Sequence, residues 1–179
     1  MGDITVQTGI AGCLDVETTG LDPQYDEVVE LAIVLFNYCP ESITGIFDTY
    51  SGFREPNVPI SMDAYSAHGL SGADLKGKRL DENRIDAMFK QADFIVCHNV
   101  EFDRSFASAI FPYLAEKHWF CSMSGIKWSG GKSLQKLLAD HSIDPGLPHR
   151  ALYDAQAIVK LLNHRASSGR TYFAEVIRG

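Results

Sequence analysis

The run VVELAIVLF, Val28 to Phe36, constrains the fold more than any other stretch. It is rich in β-branched residues and reads as a buried strand. A buried strand must be covered, so the rest of the chain has to supply a sheet and a covering layer. Residues 4–17 carry Ile4, Val6, Ile10, Cys13, Leu14 and Val16 and read as a strand or hairpin, with Gly9 and Gly12 near the middle. GLDP at 20–23 is turn chemistry. Ile43 to Phe53 follows the short connection Asn37–Ser42, which suits an antiparallel hairpin.

Beyond Phe53 the pattern turns helical. Ser61 is placed to cap a short helix reaching Ala67. Leu80 to Gln91 sets Ile85, Met88 and Phe89 on one face. Phe94 to Cys97 is a short buried strand, followed after His98 and Asn99 by a helix from Val100 to Ile110. Ser133–Asp140 and Arg150–Asn163 are the remaining helices. Strands first, then strands alternating with helices, predict an α/β fold with a mixed sheet flanked by helices. A chain of 179 residues fits a single domain over 1–179.

Composition narrows the setting. No apolar run approaches the roughly 20 residues needed to cross a bilayer, so no membrane partner is expected. The start, MGDITVQTG, lacks the basic and apolar regions of a signal peptide. Cys13, Cys39, Cys97 and Cys121 are widely spaced with no CxxC pair, which predicts neither disulfides nor zinc and fits a reducing cytoplasm. The net charge of −7 argues against wrapping long nucleic acid, but not against holding a short end at a metal site.

Acids stand where this pattern asks for apolar residues. In CLDVETTG, Asp15 and Glu17 lie one residue apart, so both project from the same face, about 7 Å apart along the strand. Like charges held this close repel, and burial makes that worse. Either the strand is an edge with two solvated acids, or a divalent cation sits between them. In the last helix Asp154 falls on the stripe formed by Ala151, Ala155, Ile158, Leu161 and Leu162. Lys160 points elsewhere, and Arg150 is the one basic candidate to pair with it. Asp103 lies in the first turn of a helix, where an acid serves either capping or chemistry. His149 stands in a loop five residues before Asp154. Each acid ends a strand or starts a helix, and such positions can converge at one rim of a mixed sheet.

SGGKS at 129–133 ends like a phosphate-binding loop, but the position needing the first glycine is Ile126. It reads as a Gly-rich turn into a helix capped by Ser133. Lys76, Lys78 and Arg79 form one basic cluster, and Lys127, Lys132 and Lys136 a second. Either could contact phosphates or be a solvated face.

DVETTGL, HNVEFD and HRALYDA, in this order, resemble the motifs of the DEDD superfamily of 3′–5′ exonucleases, histidine subtype, the DnaQ-like group. PISMDAYSAHGLS (59–71) is similar to the region between the first two motifs. The resemblance implies a ribonuclease H-like fold: a five-stranded mixed sheet whose first three strands are antiparallel and the rest parallel. It implies two Mg²⁺ or Mn²⁺ ions held by Asp15, Glu17, Asp103 and Asp154, with Asp15 shared between them. Asp103 acts mainly through water in that scheme. His149 is then the general base, swung in by the loop at 146–149; an imidazole nitrogen suits such a role. The implied reaction is hydrolysis at the 3′ end of DNA or RNA, single-stranded or frayed, releasing nucleoside 5′-monophosphates. Thr18, Thr19, Leu21, His68 and Phe102 match positions that hold the terminal nucleotide. Proofreading, repair and RNA trimming are the implied settings, with a polymerase or a second copy of the chain as protein partner. The competing reading is a catalytically silent module that binds nucleic-acid ends or a polymerase.

Overall fold

Five strands form one mixed sheet in the computed structural model, which describes residues 8–178. They are β1 (Gly9–Thr18), β2 (Val28–Cys39), β3 (Ser42–Phe53), β4 (Ile95–Cys97) and β5 (Trp119–Cys121), in the spatial order β3-β2-β1-β4-β5. The strand residues expected at Ile4 and Val6 lie outside the described residues. β1, β2 and β3 pair antiparallel, whereas β4 pairs parallel with β1, and β5 parallel with β4. The connection between β2 and β3 is tighter than expected: Cys39 already pairs with Ser42, so only Pro40 and Glu41 make the turn. β2 runs on past Phe36 for the same reason. β5 was not placed from the sequence, because a three-residue strand with half-buried side chains carries no readable period.

The helices are α1 (Met62–His68), α2 (Gly72–Leu75), α3 (Glu82–Gln91), α4 (Val100–Ile110), α5 (Leu134–Asp140), α6 (Ala151–Leu162) and α7 (Tyr172–Val176). A 3₁₀ turn spans Pro112–Glu116. Ser61 caps α1 through its hydroxyl, which accepts the Ala64 N–H at 3.1 Å. Ser133 occupies the cap position of α5 but makes no capping side-chain bond, which corrects that expectation. α2, the 3₁₀ turn and α7 are each at most five residues long, too short for a periodic signal in the sequence.

Alternation along β1 sorts the core into two layers. Leu14 and Val16 point to one face and pack with Leu31, Ile33, Ile85, Phe89 and Phe106, beneath α3 and α4. Ala11 and Cys13 point to the other and pack with Val34, Phe36, Ala155 and Ile158, beneath α6 and α7. On this second face the paired residues change character towards the end of β1. Ala11 faces Phe36 and Cys13 faces Val34, but Asp15 faces Ala32 and Glu17 faces Glu30. α6 changes in step, from buried Ile158 and Ala155 to buried Asp154. The apolar layer therefore gives way to an acidic one at the carboxyl end of the central strand.

Candidate active site

Asp15 and Glu17 come from β1, Asp103 from the first turn of α4 and Asp154 from the first turn of α6. Asp103 and Asp154 are 4% and 5% exposed, deeper than helix-capping acids normally lie. Burial pushes the Asp15 carboxyl well above the usual range, and the charges of Asp103, Glu17, Asp154 and Glu30 push it further. Glu17 rises to about 8, from burial first and then from Asp154, Glu30 and Asp103, with Arg150 pulling the other way. Asp103 rises to about 7 by burial, partly offset by backbone hydrogen bonds at Val16, Asp103 and Asn99. Asp154 is also raised by burial, against hydrogen bonds from the His149 amide and Gln135. All four shifts disfavour the charged carboxylates, through burial first and, at Asp15 and Glu17, through neighbouring acids as well.

His149 reaches the same cluster. Ligand atoms of Glu17, His149 and Asp154 all lie within 4.8 Å of one another. The His149 backbone N–H donates to Asp154 Oδ2 at 3.0 Å, and Gln135 Nε2 donates to Oδ1 at 3.4 Å. Arg150 does not answer Asp154, as the sequence left open. Its Nε donates to Glu30 Oε2 at 3.0 Å and its Nη2 to Oε1 at 3.4 Å. With that guanidinium committed, the four raised carboxylates offer a hard, oxygen-rich donor set that fits a divalent cation.

Beside the acids opens a cavity of about 440 Å³ lined by Glu17, Thr18, Leu21, Ser61, His68 and Phe102, among others. Its size suits one nucleotide-sized ligand. His68 holds its wall: Nδ1 accepts the Leu70 N–H at 3.0 Å, which leaves Nε2–H to donate to the Thr18 carbonyl at 3.1 Å. Both ring nitrogens are thereby engaged in the neutral form, and burial lowers the pKa of this histidine. Leu21 stands 83% exposed at the mouth, an unusual posture for a leucine. Thr19 does not line the cavity. It is fully buried, and its hydroxyl donates to Asp26 Oδ1 and accepts the Glu27 N–H, both at 3.0 Å, which fixes the 20–27 loop. Gly20 is required there, since a Cβ would lie 2.4 Å from the Asp26 carboxylate.

Sequence reasoning missed Glu30. It is the lone acid in VVELAIVLF and is 1% exposed, the same anomaly that marks Asp15. It also missed His98, whose Nε2 donates to the Lys132 carbonyl at 2.7 Å while Nδ1 accepts from the Ser122 hydroxyl at 2.9 Å. Of the basic clusters, Lys136 pairs with Asp140, and Lys78 and Arg79 line a separate polar cavity with Arg54 and Asn57.

A family model described as an exonuclease, named for RNase T, matches residues 13–162. The chain is 31% identical over 169 residues to a PolC-type DNA polymerase III of Thermotoga maritima, covering 83% of this chain and 11% of that protein. It thus spans only a small part of that polymerase. It is 26% identical over 175 residues to a ribonuclease T of Shewanella baltica, covering 84% of this chain and 78% of that one. Exonuclease X, solved in complex with 5′-overhanging duplex DNA, superposes with a TM-score of 0.65 at 27% identity, covering 94% of this chain and 99% of that one. The sheet order, the acids at the end of its central strand and the match over residues 13–162 agree: the chain belongs to the RNase T exonuclease family of the DEDD superfamily, with its ribonuclease H-like fold.

Proposed function

We propose that the protein is a metal-dependent 3′–5′ exonuclease that hydrolyses the terminal phosphodiester of DNA or RNA and releases nucleoside 5′-monophosphates. One observation carries this reading. Four carboxylates from three elements, two buried and two half-buried, all have raised pKa; one of them, Glu17, lines a nucleotide-sized cavity, and Glu17 and Asp154 lie within 4.8 Å of a histidine. A module that only bound ends would gain nothing from gathering so many like charges together.

In this reading Asp15, Glu17, Asp103 and Asp154 hold two divalent cations, Mg²⁺ or Mn²⁺. When bound, these neutralise charge at the scissile phosphate and acidify a water. The protein's own residues do the rest. Thr18, Leu21, His68 and Phe102 hold the terminal nucleotide, while Thr19 supports them by fixing the loop behind. The engaged ring nitrogens of His68 make it a wall rather than a proton carrier. His149 takes the proton from the attacking water as general base, with its N–H anchored on Asp154. Base suits it better than ligand, because the oxygen donors already satisfy a hard cation. The relatives suggest substrates and partners: exonuclease X was solved with duplex DNA, and the PolC-type relative is a polymerase. We extend to this chain a DNA or RNA 3′ end, and a polymerase or a second copy of the chain as partner.

The test uses oligonucleotides labelled at either end, as single-stranded DNA, duplex DNA and short RNA, with Mg²⁺, Mn²⁺ or EDTA. Shortening from the 3′ end that EDTA abolishes is expected. If no substrate is shortened under any metal condition, the exonuclease reading fails.

A further inference from the structure

His149 has a backbone φ of 57°. A residue with a Cβ occupies this left-handed region only where its surroundings over-determine it. The constraints are visible on both sides. The His149 N–H is held by Asp154 Oδ2 at 3.0 Å. The next residue, Arg150, is clamped in two ways. Its guanidinium makes a two-bond fork with Glu30, at 3.0 and 3.4 Å, and stacks 5.3 Å from the centre of the Phe53 ring. Its carbonyl accepts the N–H groups of Tyr153 and Asp154 at 2.9 and 3.1 Å, opening α6.

Glu30 is the hinge of this arrangement. It pairs with Glu17 across β1 and β2 and with Phe53 across β2 and β3. The fork therefore ties the start of α6 to the sheet beside the acidic cluster. A buried ion pair is a poor stabiliser, because desolvating both charges offsets their attraction. What it supplies is orientation: a planar guanidinium on a carboxylate fixes direction as well as distance, which a lysine cannot do.

We propose that the Glu30–Arg150 pair is a positioning device that holds His149 in its left-handed conformation and keeps the imidazole aimed at Glu17 and Asp154. The catalytic consequence rests on the reading of His149 as general base; the conformational one does not. Neither Glu30 nor Arg150 needs to touch substrate.

Arg150→Ala would strand Glu30 as an unpaired buried anion and weaken the fold, so two other variants are diagnostic. Arg150→Lys keeps the charge and removes the fork. Glu30→Leu combined with Arg150→Met removes both charges together. Each is made alone and with His149→Ala, and cleavage of a 3′-labelled oligonucleotide is followed at saturating Mg²⁺ or Mn²⁺. With His149 present, kcat should fall about 10- to 100-fold with KM unchanged, the range for loss of a partner that orients a reacting group. With His149→Ala, the same changes should produce no further fall. An equal fall in both backgrounds would overturn the proposal, since the pair would then act independently of His149. A second measurement needs no activity: amide hydrogen exchange at His149 in the metal-free protein. The charge-neutral double variant should exchange at least about ten-fold faster there. Unchanged protection also overturns the proposal, whereas a wild-type protein that cuts nothing strikes only the exonuclease reading.

Discussion

The two ends of α6 make opposite use of polar groups. At the carboxyl end Asn163 meets the start of β3 with both halves of its amide. Its Nδ2 donates to the Ile43 carbonyl and its Oδ1 accepts the Ile43 N–H, both at 2.9 Å. Nearby, His141 Nδ1 donates to the Leu137 carbonyl at 2.8 Å and Nε2 accepts from the Tyr172 hydroxyl at 2.9 Å. Each donor there faces an acceptor. At the amino end Asp154 faces Glu17 and the Asp15–Asp103 cluster, and each of these four carboxyls is raised in pKa. Polar groups that satisfy one another build the fold. Polar groups that repel one another cost stability, and a cation is the ligand whose charge would offset that cost.

The sharpest way to break this comparison is Asp15→Asn. If the amino end exists for chemistry, losing the Asp15 charge should lower kcat by about 10³-fold, equivalent to about 4 kcal/mol of transition-state stabilisation. The metal-free variant should melt no lower than the wild type, because a repelling charge has gone. Steady-state kinetics and a melting curve read both outcomes. Retained turnover would remove Asp15 from the site, and a collapsed melting temperature would make it a structural residue like Asn163.

A smaller effect should appear on adding the cation itself. At about 100 times its dissociation constant, a ligand that binds only the folded state adds about 2.7 kcal/mol, or roughly 5–10 °C in Tm for a chain of this size. The gain should depend on pH. Glu17 titrates at about 8 in the folded chain against an ordinary 4.5, so between those values the folded state binds more protons than the unfolded one. Metal-free stability should therefore fall as pH rises from about 4.5 to about 8, with Asp103 and Asp154 adding to the same slope. Divalent cation should flatten that slope, and its Tm shift should be larger at pH 8 than at pH 5. Thermal melts across this range with Mg²⁺, Mn²⁺ or EDTA decide it; a metal-free Tm that rises between pH 5 and 8 contradicts the repulsion argument.

The same contrast explains what could be read without coordinates. Asp15, Glu17 and Asp154 were legible because each interrupts an apolar period, and a period is a property of sequence alone. The mixed sheet was legible from VVELAIVLF and the alternation that follows it. Glu30 interrupts the same run, yet only the fork with Arg150, 120 residues away, gives it a meaning. Thr19 looked like part of the nucleotide site by position, but the direction of its side chain is set by Asp26 and Glu27 across a loop. The left-handed backbone of His149 has only a weak local signal, since histidine enters that region more often than most residues but is seldom found there. Periodic features survive in a sequence, while pairings between distant segments do not.

The smallest effect belongs to the satisfied end. Asn163→Ala removes two hydrogen bonds that pin α6 to the start of β3, and leaves the Ile43 N–H and carbonyl to find water. Ile43 is itself 6% exposed, so water reaches that backbone poorly, and the loss should be about 1–2 kcal/mol. Activity should not change, because the helix's other end is anchored independently by Arg150 on Glu30 and by the His149 amide on Asp154. Denaturant unfolding and kcat measured on the same preparation give the two readouts. A fall in kcat that tracked the loss of stability would mean that α6 transmits strain along its length and that its two ends are not separate devices. A loss of stability at constant kcat would show the division of labour directly, with structure at one end of a twelve-residue helix and chemistry at the other.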